Sequence, residues 1–198
     1  MATFFMLTAV SQQRSDHMQP LGIVIMGVSG CGKTTIARSL ARSLRVKFLD
    51  ADKFHPQVNI EKMSSGTALT DADREPWLDD VGSRIAGAAK DRGMVVAACS
   101  ALRRTYRERL NRASNLNLLF VLLDGSREVL QHRVNRRTSH FMPATLLDSQ
   151  LATLERPDDD ERAMAVSISK PVKKIVSEIM QSPQITVIQR RMADTTSD

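Results

Sequence analysis

Aromatic residues are scarce in this sequence, with one Trp, one Tyr and six Phe among 198 residues. None lies in the kind of basic and aromatic array that stacks nucleobases, so a nucleic-acid-binding module is not expected. Cysteine is scarcer still: Cys31 and Cys99 make no disulfide framework and suit a reducing cytoplasm. No apolar stretch approaches the roughly 18 residues that suggest a bilayer span, and the apolar segment 2–10 lacks the basic flank of a secretory signal. No membrane partner is expected. Internal repeats, low-complexity tracts and long Gly/Ser/Pro linkers are also missing. One domain is therefore expected over 20–182, between an N-terminal extension at 1–19 and a C-terminal tail at 183–198. A chain of this length buries roughly 70% of its unfolded surface and needs no structural metal to fold.

Acidic residues fall short of basic ones, 22 against 28, giving a formal net charge of +6. The shortfall is local. Residues 101–140 hold nine arginines, at 103, 104, 107, 109, 112, 127, 133, 136 and 137, against Glu108, Asp124 and Glu128. The rest of the chain balances. A basic stretch of this kind either holds anionic ligands or is a solvated helix face.

Short apolar runs alternate with helical spacing. Strands are expected at Leu21–Met26, Val46–Leu49, Met94–Ala98, Leu118–Leu123 and Met164–Ile168. Helices are expected at Lys33–Leu44, Arg74–Lys90, Leu102–Ala113, Ser126–Arg137 (capped by Ser126) and Pro171–Met180. Ile185–Ile188 is a further strand-like run. This alternation indicates an α/β fold, a parallel sheet with helices on both faces, whose ligands gather where the strands end.

Gly27-Val28-Ser29-Gly30-Cys31-Gly32-Lys33-Thr34 matches G-x-x-x-x-G-K-[ST] between a strand and a helix. Its glycines let backbone N–H groups turn toward a polyphosphate at the positive end of the helix dipole. Lys33 is expected on the β- and γ-phosphates of ATP and the Thr34 hydroxyl on Mg²⁺, with Thr35 completing the ATP-binding segment. A guanine-reading N-K-x-D is absent. Asp79-Asp80-Val81-Gly82 reads D-x-x-G but lies inside a helix. The third strand runs into Cys99-Ser100 instead of the usual acid. Asp50-Ala51-Asp52, closing the second strand, is then the source of carboxylates: Asp50 for Mg²⁺ through water, Asp52 for the acceptor hydroxyl as orienter or base, unless one is merely a turn residue.

With these residues placed, the chain resembles the gluconokinase family, small P-loop kinases that phosphorylate D-gluconate. The resemblance runs from about Leu21 to Met180. It includes Asp50-Ala51-Asp52 with His55-Pro56, Asn59–Met63, Leu69–Arg74, Pro76-Trp77-Leu78, Cys99–Arg104, His140-Phe141-Met142-Pro143, Leu146–Gln150 and Thr153-Leu154-Glu155. It implies a nucleoside-monophosphate-kinase-like, three-layer fold with a five-stranded parallel sheet, a helical substrate region and a lid at about 133–155. It also implies transfer from ATP to the 6-hydroxyl of gluconate and a homodimer. Arg133 and Arg137, four apart, share a helix face. Arg137 is expected as a catalytic residue beside Lys33 and Asp52, with Arg133 on the nucleotide and Arg136 there or in solvent.

Gluconate carries a carboxylate, which a guanidinium binds bidentately. Arg74 is the first candidate for it, followed by Arg103 and Arg104. His55 and Lys62 are also candidates, although His55 equally suits a turn before Pro56. Trp77 reads as core more than as a stacking platform. Cys31 stands where such loops commonly carry Ser, and Ala51 where Gly is frequent. If the third strand lies beside the first, Cys99 approaches Cys31, and oxidation of the pair becomes a regulatory hypothesis. The competing readings are a kinase of shikimate or of a nucleoside monophosphate, and an ATP-binding protein without transferase activity.

Overall fold

The computed structural model describes residues 20–135 and 144–187, with backbone alone at 144–146. Strands β1 (Leu21–Met26), β2 (Lys47–Asp50), β3 (Met94–Ala98), β4 (Leu119–Asp124) and β5 (Ala163–Ser167) form one sheet in the order β2-β3-β1-β4-β5. Every pairing is parallel. The helices among the described residues include α1 (Lys33–Leu44), α2 (Gln57–Ser64), α3 (Asp71–Ala89), α4 (Arg104–Ser114), α5 (Arg127–Asn135), α6 (Ala144–Thr153) and α7 (Val172–Met180). A 3-10 turn, Ala51–Phe54, follows β2.

β1 is buried along its whole length because it has a strand on each side and helices on each face. Its side chains alternate between two cores. Leu21, Ile23 and Ile25 pack with Ile36 and Leu40 of α1, Leu130 of α5, Leu147 of α6 and Ile175 and Ile179 of α7. Val24 and Met26 pack with Trp77, Leu78, Val81 and Ile85 of α3 and Tyr106 and Leu110 of α4. A one-residue slip would exchange these sets, so the register is firmly specified. Ile25 lies beside Ala98, Asp50 beside Ala98 and Met26 beside Leu122, which brings the loops after β1 to β4 to one edge of the sheet.

Several boundaries differ from the sequence expectation. α3 begins at Asp71, three residues before Arg74, because Thr70 forms a reciprocal capping box with Asp73. α4 begins at Arg104 and not Leu102, since Ala101 takes a left-handed φ of 44° and Arg103 is extended. α2 and α6 lie in stretches without an expected element. Residues 183–187 are helical, not a strand, and Ile185 is buried in the α1/α7 core. The packed domain thus runs past the expected boundary at 182. The extension 1–19, residues 136–143 of the expected lid and the tail from 188 lie outside the described residues.

Candidate active site

β1 delivers the chain into the loop Gly27–Gly32, which the Gly27 N–H ties to the end of β3 through the Ser100 carbonyl at 3.2 Å. Gly30 has φ 84°, and a Cβ there would lie 2.6 Å from Val134 on α5, so a side chain is excluded by both conformation and space. Gly32, at φ 101°, caps α1 without a side-chain acceptor, and no acid lies in the first turn. The positive end of that helix is left for an anion. Thr34 is half-buried and Thr35 exposed in this first turn.

Three side chains address the loop. Lys33 folds back so that Nζ donates to the carbonyls of Gly27 (3.1 Å) and Val28 (3.2 Å). Arg133 on α5 donates to the Cys31 carbonyl (3.3 Å) and to the Ile168 carbonyl after β5 (2.7 Å). On the other flank, the Ser29 N–H donates to Gln150 Oε1 of α6 at 2.6 Å.

Asp50 ends β2 and Asp52 stands exposed in the 3-10 turn. Burial, and then the charge of Asp52, raise the Asp50 carboxyl above its ordinary range, while Lys53, Arg38 and the Asp52 backbone N–H oppose this. Cys99, at the end of β3, is pushed up to about 12, chiefly by burial and next by Asp52, with Lys33 and Asp50 also acting on it. Asp50, Asp52 and Lys33 therefore converge beyond β3. A carboxylate whose charge is disfavoured by burial and a neighbouring acid is relieved by a divalent cation. Among the described residues no group of three His, Cys, Asp or Glu can hold a metal. One hydroxyl and one carboxylate through water suit Mg²⁺ that keeps most of its waters and arrives on a nucleotide.

Beyond these acids lies a second cluster. His55 stacks on Trp77 with ring centroids 4.1 Å apart and an interplanar angle of 14°. Trp77 is buried and donates from Nε1 to the Ala51 carbonyl (2.9 Å), fixing the turn that carries Asp52. His55 Nδ1 is buried without a hydrogen-bond partner, and burial lowers the imidazole pKa despite the charge of Asp52. Arg74 and Arg103 both lie over the Tyr106 ring, at 5.7 and 5.8 Å. Asp71 joins them: it accepts from Arg103 at 2.7 Å and from the Tyr106 hydroxyl, with Arg74 at 3.7 Å. The Tyr106 hydrogen bond, more than either arginine, holds its carboxyl below the usual range. Two guanidiniums thus share one carboxylate, a setting able to take a second carboxylate from a ligand.

A family model described as "AAA domain" matches residues 23–157. The gluconokinase of Gluconobacter oxydans (strain 621H) is 47% identical over 164 residues, covering 83% of this chain and 92% of that protein. The chain belongs to the gluconokinase family. The gluconokinase of Arabidopsis thaliana is 41% identical over 171 residues, covering 80% of this chain and 90% of its own length. The crystal structure of a gluconokinase from Sinorhizobium meliloti 1021 aligns with a TM-score of 0.73 at 41% identity, over 90% of this chain and 97% of that one.

Within this gluconokinase-family fold, the expected site residues divide. The loop, Lys33, Asp50, Asp52, His55, Arg74, Arg103 and Arg133 are gathered at the strand ends. Arg104 is not. Its guanidinium is taken up by Asp160, Asp158 and Glu108, at 2.7 to 3.1 Å. Lys62 likewise donates to Asp73 (2.6 Å), a bond that leads in holding Asp73 down to about 2. Arg136 and Arg137 lie outside the described residues. The basic window is thus largely matched internally, because Arg107, Arg109 and Arg127 also pair with Glu161, Asp79 and Asp148. β3 does lie beside β1, and Cys31 and Cys99 are both buried, packed in the two different cores of the sheet. Asp71, Tyr106 and Gln150 carried no assigned role in the sequence. The T-x-x-D at Thr70–Asp73, not used in the sequence reading, is a signal that would have marked Asp71 as the first helical residue, and Gln150 stood in the Leu146–Gln150 run without a role.

Proposed function

We propose that this chain transfers the γ-phosphoryl group of ATP to the 6-hydroxyl of D-gluconate, giving 6-phosphogluconate and ADP. The observation that carries this is the company kept at one sheet edge: the phosphate-binding loop after β1, Asp50 and Asp52 after β2, and His55 between the charges of Asp52 and Arg74, with Arg103 sharing the Tyr106 ring. The names of the gluconokinase relatives support the same acceptor.

In this reading Lys33 leaves the Gly27 and Val28 carbonyls for the β- and γ-phosphates. Arg74 and Arg103 orient the gluconate carboxylate, with His55 lining the acceptor, and Asp52 orients O6 and takes its proton. The new O6–P bond forms in line with the breaking bond between the γ-phosphorus and the β,γ-bridging oxygen, and ADP departs with that oxygen. Thr34, and Asp50 through water, would hold the Mg²⁺ that accompanies ATP, which supplies neutralising charge on the phosphate oxygens. Arg133 contacts the nucleotide. Arg137 serves as the catalytic cation of the lid, on its four-residue spacing from Arg133 and the family resemblance. The same resemblance supports a homodimer, and the scarcity of cysteine a reducing cytoplasm.

A coupled ADP-release assay with Mg·ATP and a panel of gluconate, other sugar acids, neutral sugars, shikimate and nucleoside monophosphates tests the reading. Gluconate is expected to be turned over best, with the phosphate on O6 by phosphorus NMR of the product. Turnover of shikimate or a nucleoside monophosphate without gluconate would overturn it.

A further inference from the structure

Gln150 holds one end of a peptide bond whose other end is held by Lys33. The Val28–Ser29 peptide accepts from Lys33 Nζ at its carbonyl (3.2 Å) and donates from its N–H to Gln150 Oε1 (2.6 Å). A backbone N–H requires an acceptor, so the orientation of the Gln150 amide is set by chemistry: the oxygen faces the loop. Its NH₂ group, on the same carbon, then stands beside the same loop wall with two donors.

That wall belongs to the far end of the phosphate cradle. The α1 amides, from Gly32 onward, close the end nearest the helix, where a β-phosphate is held. Lys33, the side chain that reaches to the terminal phosphate, lies against Gly27 and Val28 at the opposite end. Gln150 shares that end.

Gln150 is also held in place from both directions. Leu147 is buried in the α1/α7 core, with Leu151 and Leu154 packed against it. Asp148 accepts two bonds from Arg127, at 2.7 and 2.9 Å. After α6, the Glu155 N–H donates to the Leu102 carbonyl (2.9 Å), and the Glu155 carbonyl accepts from the buried Arg107 (3.0 Å). The expected lid of 133–155 is therefore docked from Leu147 onward, and Gln150 is a fixed part of the loop's surroundings.

We propose that Gln150 is a further substrate-contacting residue: with its carbonyl pinned on the Ser29 N–H, its side-chain NH₂ donates to the terminal phosphate of ATP. This rests on the reading above that ATP is the phosphoryl donor. Its consequence is discrimination between ATP and ADP, because ADP has no oxygen at that position.

Titration calorimetry without acceptor, using Mg·ADP and a non-hydrolysable Mg·ATP analogue, tests it. Gln150→Ala should lose roughly ten- to a hundredfold in affinity for the ATP analogue, the range for a hydrogen bond to a charged group, with little change for ADP. Gln150→Glu keeps an acceptor on the Ser29 N–H but sets a negative charge against the phosphate, and should lose the ATP preference more completely. A thermal melt of each variant shows whether the loop remains packed, and if Gln150→Ala is destabilised the comparison rests on Gln150→Glu. Equal losses for both nucleotides, or an unchanged ATP-to-ADP ratio in Gln150→Glu, would overturn the contact. Failure of the wild type to bind either nucleotide would instead overturn the parent reading.

Discussion

Arg107 is fully buried and is matched by Glu161 through two parallel hydrogen bonds, Nε to Oε2 at 2.6 Å and Nη2 to Oε1 at 2.7 Å. Its remaining nitrogen donates to the carbonyls of Ala101, Leu102 and Glu155 at 3.0 to 3.4 Å. One side chain of α4 thus joins the loop after β3, the end of α6 and the entry to β5. That loop holds Ala101 at a left-handed φ of 44° and leads directly to Arg103. The position of an acceptor-side arginine therefore depends on an ion pair remote from the phosphate loop.

Arg107→Ala is expected to lower stability by about 3–5 kcal/mol, since it leaves a mostly buried carboxylate without its partner. Arg107→Lys should not restore it, because an ammonium cannot reproduce the fork. Arg107 is the first cause of a lowered Glu161 pKa. The stabilisation is therefore present above the unfolded value near 4.3 and lost as pH falls through the lower folded value. Urea unfolding should show the gap between wild type and Glu161→Gln narrowing below about pH 4. A gap independent of pH would show that the carboxylate charge contributes nothing.

His55 titrates with the same sign in a higher pH window. Burial lowers its folded pKa below the ordinary 6.5. Between that lower value and 6.5 the unfolded chain binds more protons than the folded one, so stability rises with pH through this window. Wild type should lose melting temperature between pH 7.5 and pH 5.5 more steeply than His55→Phe, which keeps a ring on Trp77 but cannot be protonated. Parallel slopes would remove His55 as the source.

Much of this arrangement was legible because it is local. β1 and β3 are buried throughout and β4 as far as Leu123, so each reads as an unbroken apolar run. The phosphate loop is a backbone requirement written directly in glycines. α2 escaped because its only buried residue is Asn59, held by a bond to the Asp73 carbonyl (2.9 Å) and not by an apolar stripe. α6 escaped because contacts distant in sequence position it, such as Ser29 to Gln150 across 121 residues. The charge map misled for the same reason. Arg104 finds two of its acids 54 and 56 residues away, a pairing that counting along the chain cannot show.

Cysteine chemistry gives a further check. Cys99 is completely buried with its thiol pushed up to about 12, and Cys31 is 1% exposed in the other core. A protonated, inaccessible thiol is a poor nucleophile. Iodoacetamide at pH 8 should therefore modify the native protein slowly and both cysteines rapidly in denaturant, with peroxide and dithiothreitol leaving activity unchanged. Fast native labelling of Cys99 would contradict its burial.

The neighbouring arginines Arg103 and Arg104 separate substrate binding from structure. Arg103 shares Asp71 with Arg74 over Tyr106, whereas Arg104 is bound to Asp158, Asp160 and Glu108. Arg74→Ala and Arg103→Ala should raise KM for gluconate by about tenfold or more, and leave KM for ATP nearly unchanged. Arg104→Ala should leave both KM values close to wild type, because its partners are exposed acids and such pairs contribute little. Asp71→Asn adds a sign. It removes the negative charge that competes for the two guanidiniums while keeping an acceptor for Tyr106, so it should hold gluconate at least as tightly as wild type. A rise in KM for Asp71→Asn equal to that of Arg103→Ala would mean that Asp71 orients the arginines, and that its charge does not compete with the substrate carboxylate.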